Sequence, residues 1–571
     1  MAPWSLLVVH GDMAATSLSV PPLSNTEISR RLVSYAHGLQ TKGDNPYKIR
    51  AYRRAAQTIK NLRESVDALI RAGDDVTRFP GIGKGIAAAL REIVFGGTLG
   101  QMEMPLASIP PEVAAVGEYP ALDPKRVARV FKKLGIETVS ALKQKLEDGT
   151  IRASFGARMA DHFRNAFRDS TLVLLDDADQ LAVEIERFLL TRCNVTRAEL
   201  AGDVRRRVES ISEIVFVIET DDFSATLKRV KTFRGGIDLI ETAGRDATFQ
   251  LPGSVMLTLH GATSINWGTA VVLATGSPAH LQELEHVGGL ARRAKTENDV
   301  YATVGLSWVP PELREGRGEV ALAAKDELPR LVELNDIRGD LHMHTTSSDG
   351  LDTIEAMAEA ARARGYDYLG ITDHSQSLKI ARGVSIENLW AQIRRIDKLN
   401  ARLKGIRILK SAEVDILADG SLDYPDDLLA ELDYTICSIH SRFALGKQQQ
   451  TERVMRAMDH PAFTMLGHAT GRLILHRSGY ELDLPRIIAH AAARRCYFEI
   501  NADPDRLDLS SDNVRLVAKA GIKVAIGTDA HRVAGLDYMH CGIDVARRAG
   551  LTKKDVLNTG TLAQLQRAFR R

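Results

Sequence analysis

Cysteine is scarce: Cys193, Cys437, Cys496 and Cys541 are four among 571 residues, far apart and with no C-x-x-C pair. That excludes a disulfide framework or a zinc ribbon and reads as reduced cytosolic thiols. No apolar run approaches the ~20 residues that span a bilayer. The apolar stretch Trp4-Ser-Leu-Leu-Val-Val9 is short and follows no basic segment, so a secretory signal is not expected. Residues 1–23 read instead as a disordered leader, with Met13 an alternative start. Charge of one sign is missing too: 75 Lys+Arg against 73 Asp+Glu leave a net +2, so any nucleic-acid contact must come from local patches. The G-x-x-x-x-G-K-[ST] and G-x-S-x-G motifs are absent, which excludes a Walker loop and an acyl-transferring serine elbow. What is present is 44% apolar residues, ample for large cores, in a length that implies about three or four domains.

Residues 26–66 carry a helical period, with Lys48, Arg50, Arg53, Arg54, Lys60 and Arg63 between the apolar positions. Either this is a solvated face or it meets an anion. The turn Phe79-Pro-Gly-Ile-Gly-Lys-Gly85 follows, between two helical patterns. Gly81, Gly83 and Gly85 let backbone N–H groups approach an anion, beside Lys84 and the positive end of the next helix. That is the logic of a helix-hairpin-helix, which grips a DNA phosphate without reading bases; the alternative is a tight turn between packed helices. Tyr119-Pro-Ala-Leu-Asp-Pro-Lys125 and Ser154-Phe-Gly-Ala-Arg-Met159 are weaker echoes, equally readable as helix starts.

From about residue 180 to 320 the pattern is α+β, with strand-like runs at 214–218, 255–259 and 271–274 and a charged, linker-like stretch near 312–326. From Ile337 strands alternate with amphipathic helices, as in a parallel barrel. Almost every candidate metal donor there falls where an apolar strand ends. His342 and His344, two residues apart on a strand, face the same side. Asp349, His374, Glu413, His440, His468, Asp529 and His531 follow. In a parallel barrel the strand C-termini share one rim. Nine imidazoles and carboxylates exceed the needs of one ion and fit two or three, of Zn²⁺, Mn²⁺ or Fe²⁺ type rather than Ca²⁺. Such ions bind phosphate oxygens, lower the pKa of a water and neutralise the leaving oxygen.

These motifs, opening with Gly339-Asp-Leu-His-Met-His-Thr-Thr-Ser-Ser-Asp-Gly350, resemble a PHP (polymerase and histidinol phosphatase) domain. Trp308-Val-Pro-Pro-Glu-Leu-Arg-Glu315, Asp336-Ile-Arg-Gly-Asp-Leu341, Leu422-Asp-Tyr424 and Gly467-His-Ala-Thr-Gly-Arg472 extend the likeness. With the amino-terminal hairpin, the chain resembles bacterial family X DNA polymerases bearing a C-terminal PHP domain. The resemblance implies a distorted (β/α)₇ barrel at 338–571. Before it would come an 8-kDa-like helical domain at 24–105, a fingers-like domain at 106–178, a palm and thumb at 179–318 and a linker at 319–337. It further implies a Mn²⁺-dependent 3′–5′ exonuclease, related 3′-phosphatase and abasic-site activities, and gapped, nicked or 3′-recessed DNA as partner. A cytosolic monomer without membrane contact is the working expectation.

The polymerase half departs from that family. The family's G-S-x-R-R run is Gly202-Asp-Val-Arg-Arg206, so Asp203 replaces the serine that meets the triphosphate. The three catalytic carboxylate positions fall on Glu213, Val215 and Met256, with Asp221 and Asp222 as nearby substitutes. Valine and methionine cannot hold Mg²⁺, so polymerase activity is expected to be lost. Arg205 and Arg206 are candidate DNA-phosphate contacts or salt-bridge partners. The lyase lysine of the family aligns with Ala89, leaving Lys84 or Lys48 for that chemistry. The rival readings are an active polymerase with attached proofreading, a small-molecule phosphatase of the histidinol-phosphatase kind, and a non-catalytic DNA-binding scaffold.

Overall fold

The computed structural model describes residues 22–42, scattered positions from 48 to 62, and 64–96 apart from 80. It also describes 124–164 apart from 137–138, 157–158 and 161–162, and 172–570 apart from 252–254 and 476. The expected leader up to residue 21, the candidate contact Arg50 and the 119–123 part of the hairpin echo lie outside the described residues. The chain divides into two compact units, 1–167 and 168–571.

In the first unit, the helices Asn25–Lys42, Val66–Ala72 and Lys84–Gly96 close around Ile28, Leu32, Leu39, Ile70, Leu90 and Ile93. Ser65 caps the second helix at Ala68 N, and Gly73, left-handed at φ 82°, ends it. A single 3₁₀ turn, Val76–Arg78, then leads into the glycine turn. A separate small core of Val130, Phe131, Leu142, Leu146, Ile151 and Phe163 holds the helices Pro124–Leu134, Val139–Glu147 and Thr150–Phe155.

The second unit begins with a five-stranded sheet: β1 (Arg197–Ala201), β2 (Glu213–Glu219), β3 (Asp238–Ala243), β4 (Asp246–Gln250) and β5 (Met256–Ala262). Their order is β1-β2-β5-β4-β3, with β2 and β5 parallel and the other pairs antiparallel. Helix Leu175–Arg192 covers one face through Ala178, Ala182, Ile185 and Leu189. Trp267–Thr275, apolar all round, covers the other against Val215 and Val217.

The stretch expected as a linker at 319–337 is folded in. Its charge misleads because it is spent internally. Glu319 accepts from the backbone N–H groups of Gly316 and Arg317 and meets His280 Nδ1, while Val320, Ala323, Leu331 and Val332 are buried.

The barrel strands are β6 (Gly339–Asp340), β7 (Tyr368–Ile371), β8 (Arg407–Lys410), β9 (Glu413–Asp415), β10 (Ile436–Ser438), β11 (Met465–Leu466), β12 (Tyr497–Asn501) and β13 (Val524–Gly527). All pairs are parallel, in the orders β8-β7-β6 and β9-β10-β11-β12-β13. Two single bridges join the sheets into a ring, His374↔Glu413 and Met343↔Ala530. Because β8 and β9 are one bent strand interrupted at 411–412, the ring has the expected seven-strand form. Helices such as Ile354–Ala363 and Ile386–Asn400 turn apolar stripes onto its outside. Leu409, Ile436, Met465 and Ala525 plug the lower end with Leu565 of the last helix. The polar layer is thereby confined to the strand C-termini.

Ion pairs fasten the sheet domain to the barrel. Arg472 grips Glu209 at 2.7 Å through both terminal nitrogens, Arg207 reaches Asp544 at 2.6 Å, and Arg548 reaches Glu315 at 2.9 Å. Among the described residues, no helix is long and apolar enough to cross a membrane.

Candidate metal centre

All nine donors predicted from the sequence come together at the C-terminal rim of the barrel. Glu413, the first residue of β9, is wholly buried at their middle. Its Oε2 lies 2.7 Å from His374 Nδ1, 3.6 Å from His342 Nε2 and 3.7 Å from His344 Nε2. Its Oε1 lies 2.8 Å from His468 Nε2 and 3.4 Å from His440 Nε2. Asp529 Oδ1 stands 2.9 Å from His344 Nε2 and 3.6 Å from His342 Nε2. Asp349, from the loop after β6, stands 3.4 Å from His531 Nε2 and 3.6 Å from His374 Nε2.

Eight of the nine donors form three overlapping groups with ligating atoms within 4.8 Å of one another: His344, Asp349, His374 and His531; His342, His344 and Asp529; His374, Glu413 and His440; His468 stands outside them, against Glu413. His344 and His374 each belong to two groups, as expected of neighbouring ions with shared walls. His344 Nδ1 and His468 Nδ1 are buried atoms with no hydrogen-bond partner, and Glu413 Oε2 and His374 Nδ1, though 2.7 Å apart, are not aligned for a hydrogen bond. Buried polar atoms are ordinarily paired, and an imidazole–carboxylate set left in this state suits divalent cations.

The electrostatics agree. Burial opposes charge on His342, yet Glu499, Asp529 and Glu413 carry its pKa well above the usual imidazole range. Against the same opposition from burial, Glu413 and Asp415 push His440 up to about 10. Burial, helped by His374 and His531, takes His344 down to about 4. Burial likewise disfavours the charged forms of Glu413 and Asp529, but surrounding imidazoles hold both far below the carboxylate range.

The backbone is bent to deliver these groups. His468 (φ 22°) and Asp529 (φ 53°) occupy positive φ, which non-glycine residues rarely adopt outside sites where the surroundings enforce it. At Gly527 an added Cβ would meet His342 Cβ at 2.5 Å and Glu499 Oε1 at 2.7 Å, so this strand end tolerates only hydrogen.

Sequence reasoning missed the residues that orient the donors. Glu499 accepts from His342 Nδ1 at 2.5 Å and from the His468 backbone N–H at 2.7 Å. Asp415 pairs with His440 Nδ1 at 2.6 Å, and Asn501 Nδ2 donates to Asp529 Oδ2 at 3.0 Å. Arg506 brings a guanidinium to the rim, with its Nε 3.4 Å from Asp529 Oδ2. The available signal was Phe498-Glu-Ile-Asn501, a carboxylate inside an otherwise apolar strand.

At the hairpin, Gly81 takes φ 78° and Ile82 is buried, anchoring the turn to the helical core. An added Cβ at Gly83 or Gly85 would meet nothing within 4 Å, so the glycine backbone is open on that side. Lys84 begins the following helix. Lys48 lies over the Tyr35 ring at 5.9 Å, and Ala89 is buried in the helical core.

In the sheet domain, Glu213 pairs in register with Met256 and Val215 with Thr258, which gathers the three aligned polymerase positions on neighbouring strands. Thr258 Oγ1 donates to Glu213. Val215 is buried, and its Cγ2 would lie 2.8 Å from a Cβ on Gly202. Asp222 caps the next helix at Ala225 N rather than facing this site. Arg205 is held by Glu297 at 2.8 and 2.9 Å and by Glu199 at 2.9 Å. Arg206 is held by Glu315 at 3.1 Å and by Asp203.

A helix-hairpin-helix followed by a sheet domain and a parallel barrel with this donor ring defines a multidomain PHP protein. Family models agree: a helix-hairpin-helix domain matches residues 24–99 and a PHP domain matches 340–503. The chain is 32% identical to the DNA polymerase/3′-5′ exonuclease PolX of Bacillus subtilis (strain 168), over 95% of this chain and 99% of that one. It belongs to that PolX family. It is also 29% identical to a probable phosphatase of Thermoanaerobacter sp. (strain X514), over 38% of this chain and 89% of the relative. A solved histidinol phosphate phosphatase from Lactococcus lactis aligns at TM-score 0.30 and 19% identity, covering 38% of this chain and 94% of its own.

Proposed function

We propose that the barrel centre is a divalent-metal phosphodiesterase that shortens DNA from its 3′ end, working on gapped, nicked or 3′-recessed substrates. The observation that carries this reading is the set of three overlapping donor groups, in a chain that matches a named 3′–5′ exonuclease along almost its whole length. His342, His344, Asp349, His374, Glu413, His440, His468, Asp529 and His531 would hold Mn²⁺ or Zn²⁺. Such ions supply Lewis acidity toward phosphate oxygens and make water more acidic. The chain's own contribution is orientation and charge. Glu499 and Asp415 fix the ring positions of His342 and His440. Arg506 offers a planar guanidinium to a non-bridging phosphate oxygen.

The hairpin would grip the DNA backbone through the N–H groups around Gly81, Gly83 and Gly85 and through Lys84, with Lys48 on the same domain. In the sheet domain the reading is loss of polymerase activity. Glu213 is the only carboxylate among the three aligned positions, Val215 packs on Gly202, and Met256 offers no hard oxygen for Mg²⁺. Arg205 and Arg206 would have to leave Glu199, Glu297, Glu315 and Asp203 to meet a DNA phosphate. The protein is taken to act as a monomer in the bacterial cytosol.

A small-molecule phosphatase is the rival reading, favoured by relatives named as probable phosphatases that match 38% of the chain. Turnover of a small phosphomonoester with Mn²⁺, titrated with gapped DNA, separates the two. The nuclease reading expects DNA to suppress turnover by occupying the barrel. Turnover unchanged at saturating DNA contradicts it.

A further inference from the structure

A second donor cluster lies away from the barrel rim, where the sheet domain meets the barrel. The first turn of helix Leu175–Arg192 supplies Asp176, and the first turn of helix Met539–Arg548 supplies His540 and Cys541. Their ligating atoms lie within 4.8 Å of one another. Cys541 Sγ is 3.3 Å and Asp176 Oδ1 is 3.8 Å from His540 Nε2.

His540 Nδ1 lies 2.7 Å from the backbone carbonyl of Asp537, an acceptor only, so Nδ1 carries the proton. In its neutral form the ring turns a bare Nε2 lone pair toward Cys541 and Asp176, the arrangement by which metal-binding histidines are fixed. Asp176 Oδ2 is steadied by Gln180 Nε2 at 2.9 Å, leaving Oδ1 for the cluster. Cys541 is 3% exposed, so its thiol faces these partners rather than solvent.

Charge at this junction is unbalanced. Asp179 and Asp544 share a single guanidinium, Arg207, at 2.5 and 2.6 Å. Among the described residues Asp176 has only His540 as a basic partner within 4.0 Å. A buried thiol beside three carboxylates and one arginine is a poor site for an anion and a good one for a cation.

We infer that Asp176, His540 and Cys541 form a zinc site that staples the sheet domain to the barrel. One nitrogen, one sulfur and one oxygen ligand suit a tetrahedral Zn²⁺ whose fourth position faces solvent. Binding releases the Cys541 thiol proton to water, leaving a thiolate on the ion.

Sulfur separates this site from the nine-donor centre, which has none. Full-length protein is stripped with chelator and loaded with Co²⁺, and its near-ultraviolet thiolate-to-cobalt absorption is recorded. The expected result is a band present in the wild type and in the His342→Ala/His344→Ala variant, lost in Cys541→Ser, and bleached by added Zn²⁺. Should Cys541→Ser fold poorly, Asp176→Asn, partly exposed, is expected to weaken Co²⁺ binding at this band at least ~10-fold. No band in wild type at saturating Co²⁺, or a band unchanged in both Cys541→Ser and Asp176→Asn, overturns the proposal.

Discussion

Glu499 Oε1 accepts from His342 Nδ1 at 2.5 Å while its Oε2 takes the backbone N–H of His468 at 2.7 Å, so one carboxylate on β12 orients donors that follow β6 and β11. Glu499→Gln keeps the size but turns one acceptor into a donor, which must face a group that is itself donating. The Mn²⁺ concentration for half-maximal 3′-end shortening should rise ~10–100-fold, with much of the rate recovered at high Mn²⁺. A wild-type Mn²⁺ titration would show that Glu499 does not act through His342.

Glu297 is the anchor of the sheet domain's arginines. It accepts from Arg205 and lies 2.6 Å from Arg314, whose side chain is completely buried. Glu297→Ala strands that charge and should cost about 3–5 kcal/mol in urea unfolding. Burial alone would raise the Glu297 carboxyl, but Arg314 and Arg205 outweigh it and hold the group below its ordinary value of 4.5. A depressed carboxyl stabilises the fold above its unfolded pKa and loses that contribution as pH falls through the folded value. The gap between wild type and Glu297→Ala should therefore narrow below about pH 4.5; a gap constant down to strongly acidic pH would argue against this pairing.

Gly83 has open space where a Cβ would go, so Gly83→Ala should fold normally yet hold a phosphate farther from the backbone. DNA affinity should fall for every sequence alike, since phosphate contacts carry no sequence information. Lys84→Ala should flatten the slope of log affinity against log salt by about 1. Fluorescence anisotropy over a salt series reads both effects. Unchanged affinity in both variants would remove the hairpin from the DNA interface.

Most of the nine rim donors were legible because they stand near the end of an apolar strand, a position that composition marks clearly, although Asp349 comes from the loop after β6. The parallel barrel followed from the alternation of strands and helices, its seven-strand form from the family resemblance, and the 411–412 break was hidden inside the single strand-like segment Ile406–Ile416. Glu499, Asp415 and Arg506 were not legible, because a carboxylate or guanidinium that acts through another residue carries no spacing of its own. The linker-like reading of 312–326 and 319–337 has a related cause. Arg314 and Glu319 look like solvated charge in the sequence but are buried and paired, Arg314 with Glu297 and Glu319 with His280. The aligned positions Glu213, Val215 and Met256 lie together through the parallel register of β2 and β5, which no single strand reveals.

The central claim is that the barrel hydrolyses DNA 3′ ends while the sheet domain does not extend them. The direct test incubates purified protein and Mn²⁺ with a 3′-recessed, 5′-labelled duplex, with and without deoxynucleotides, beside His342→Ala/His344→Ala. The predicted result is a ladder of shortened products that disappears in the double variant, with no extension when nucleotides are added. Extension by the wild type, or shortening that survives loss of both histidines, would contradict the account.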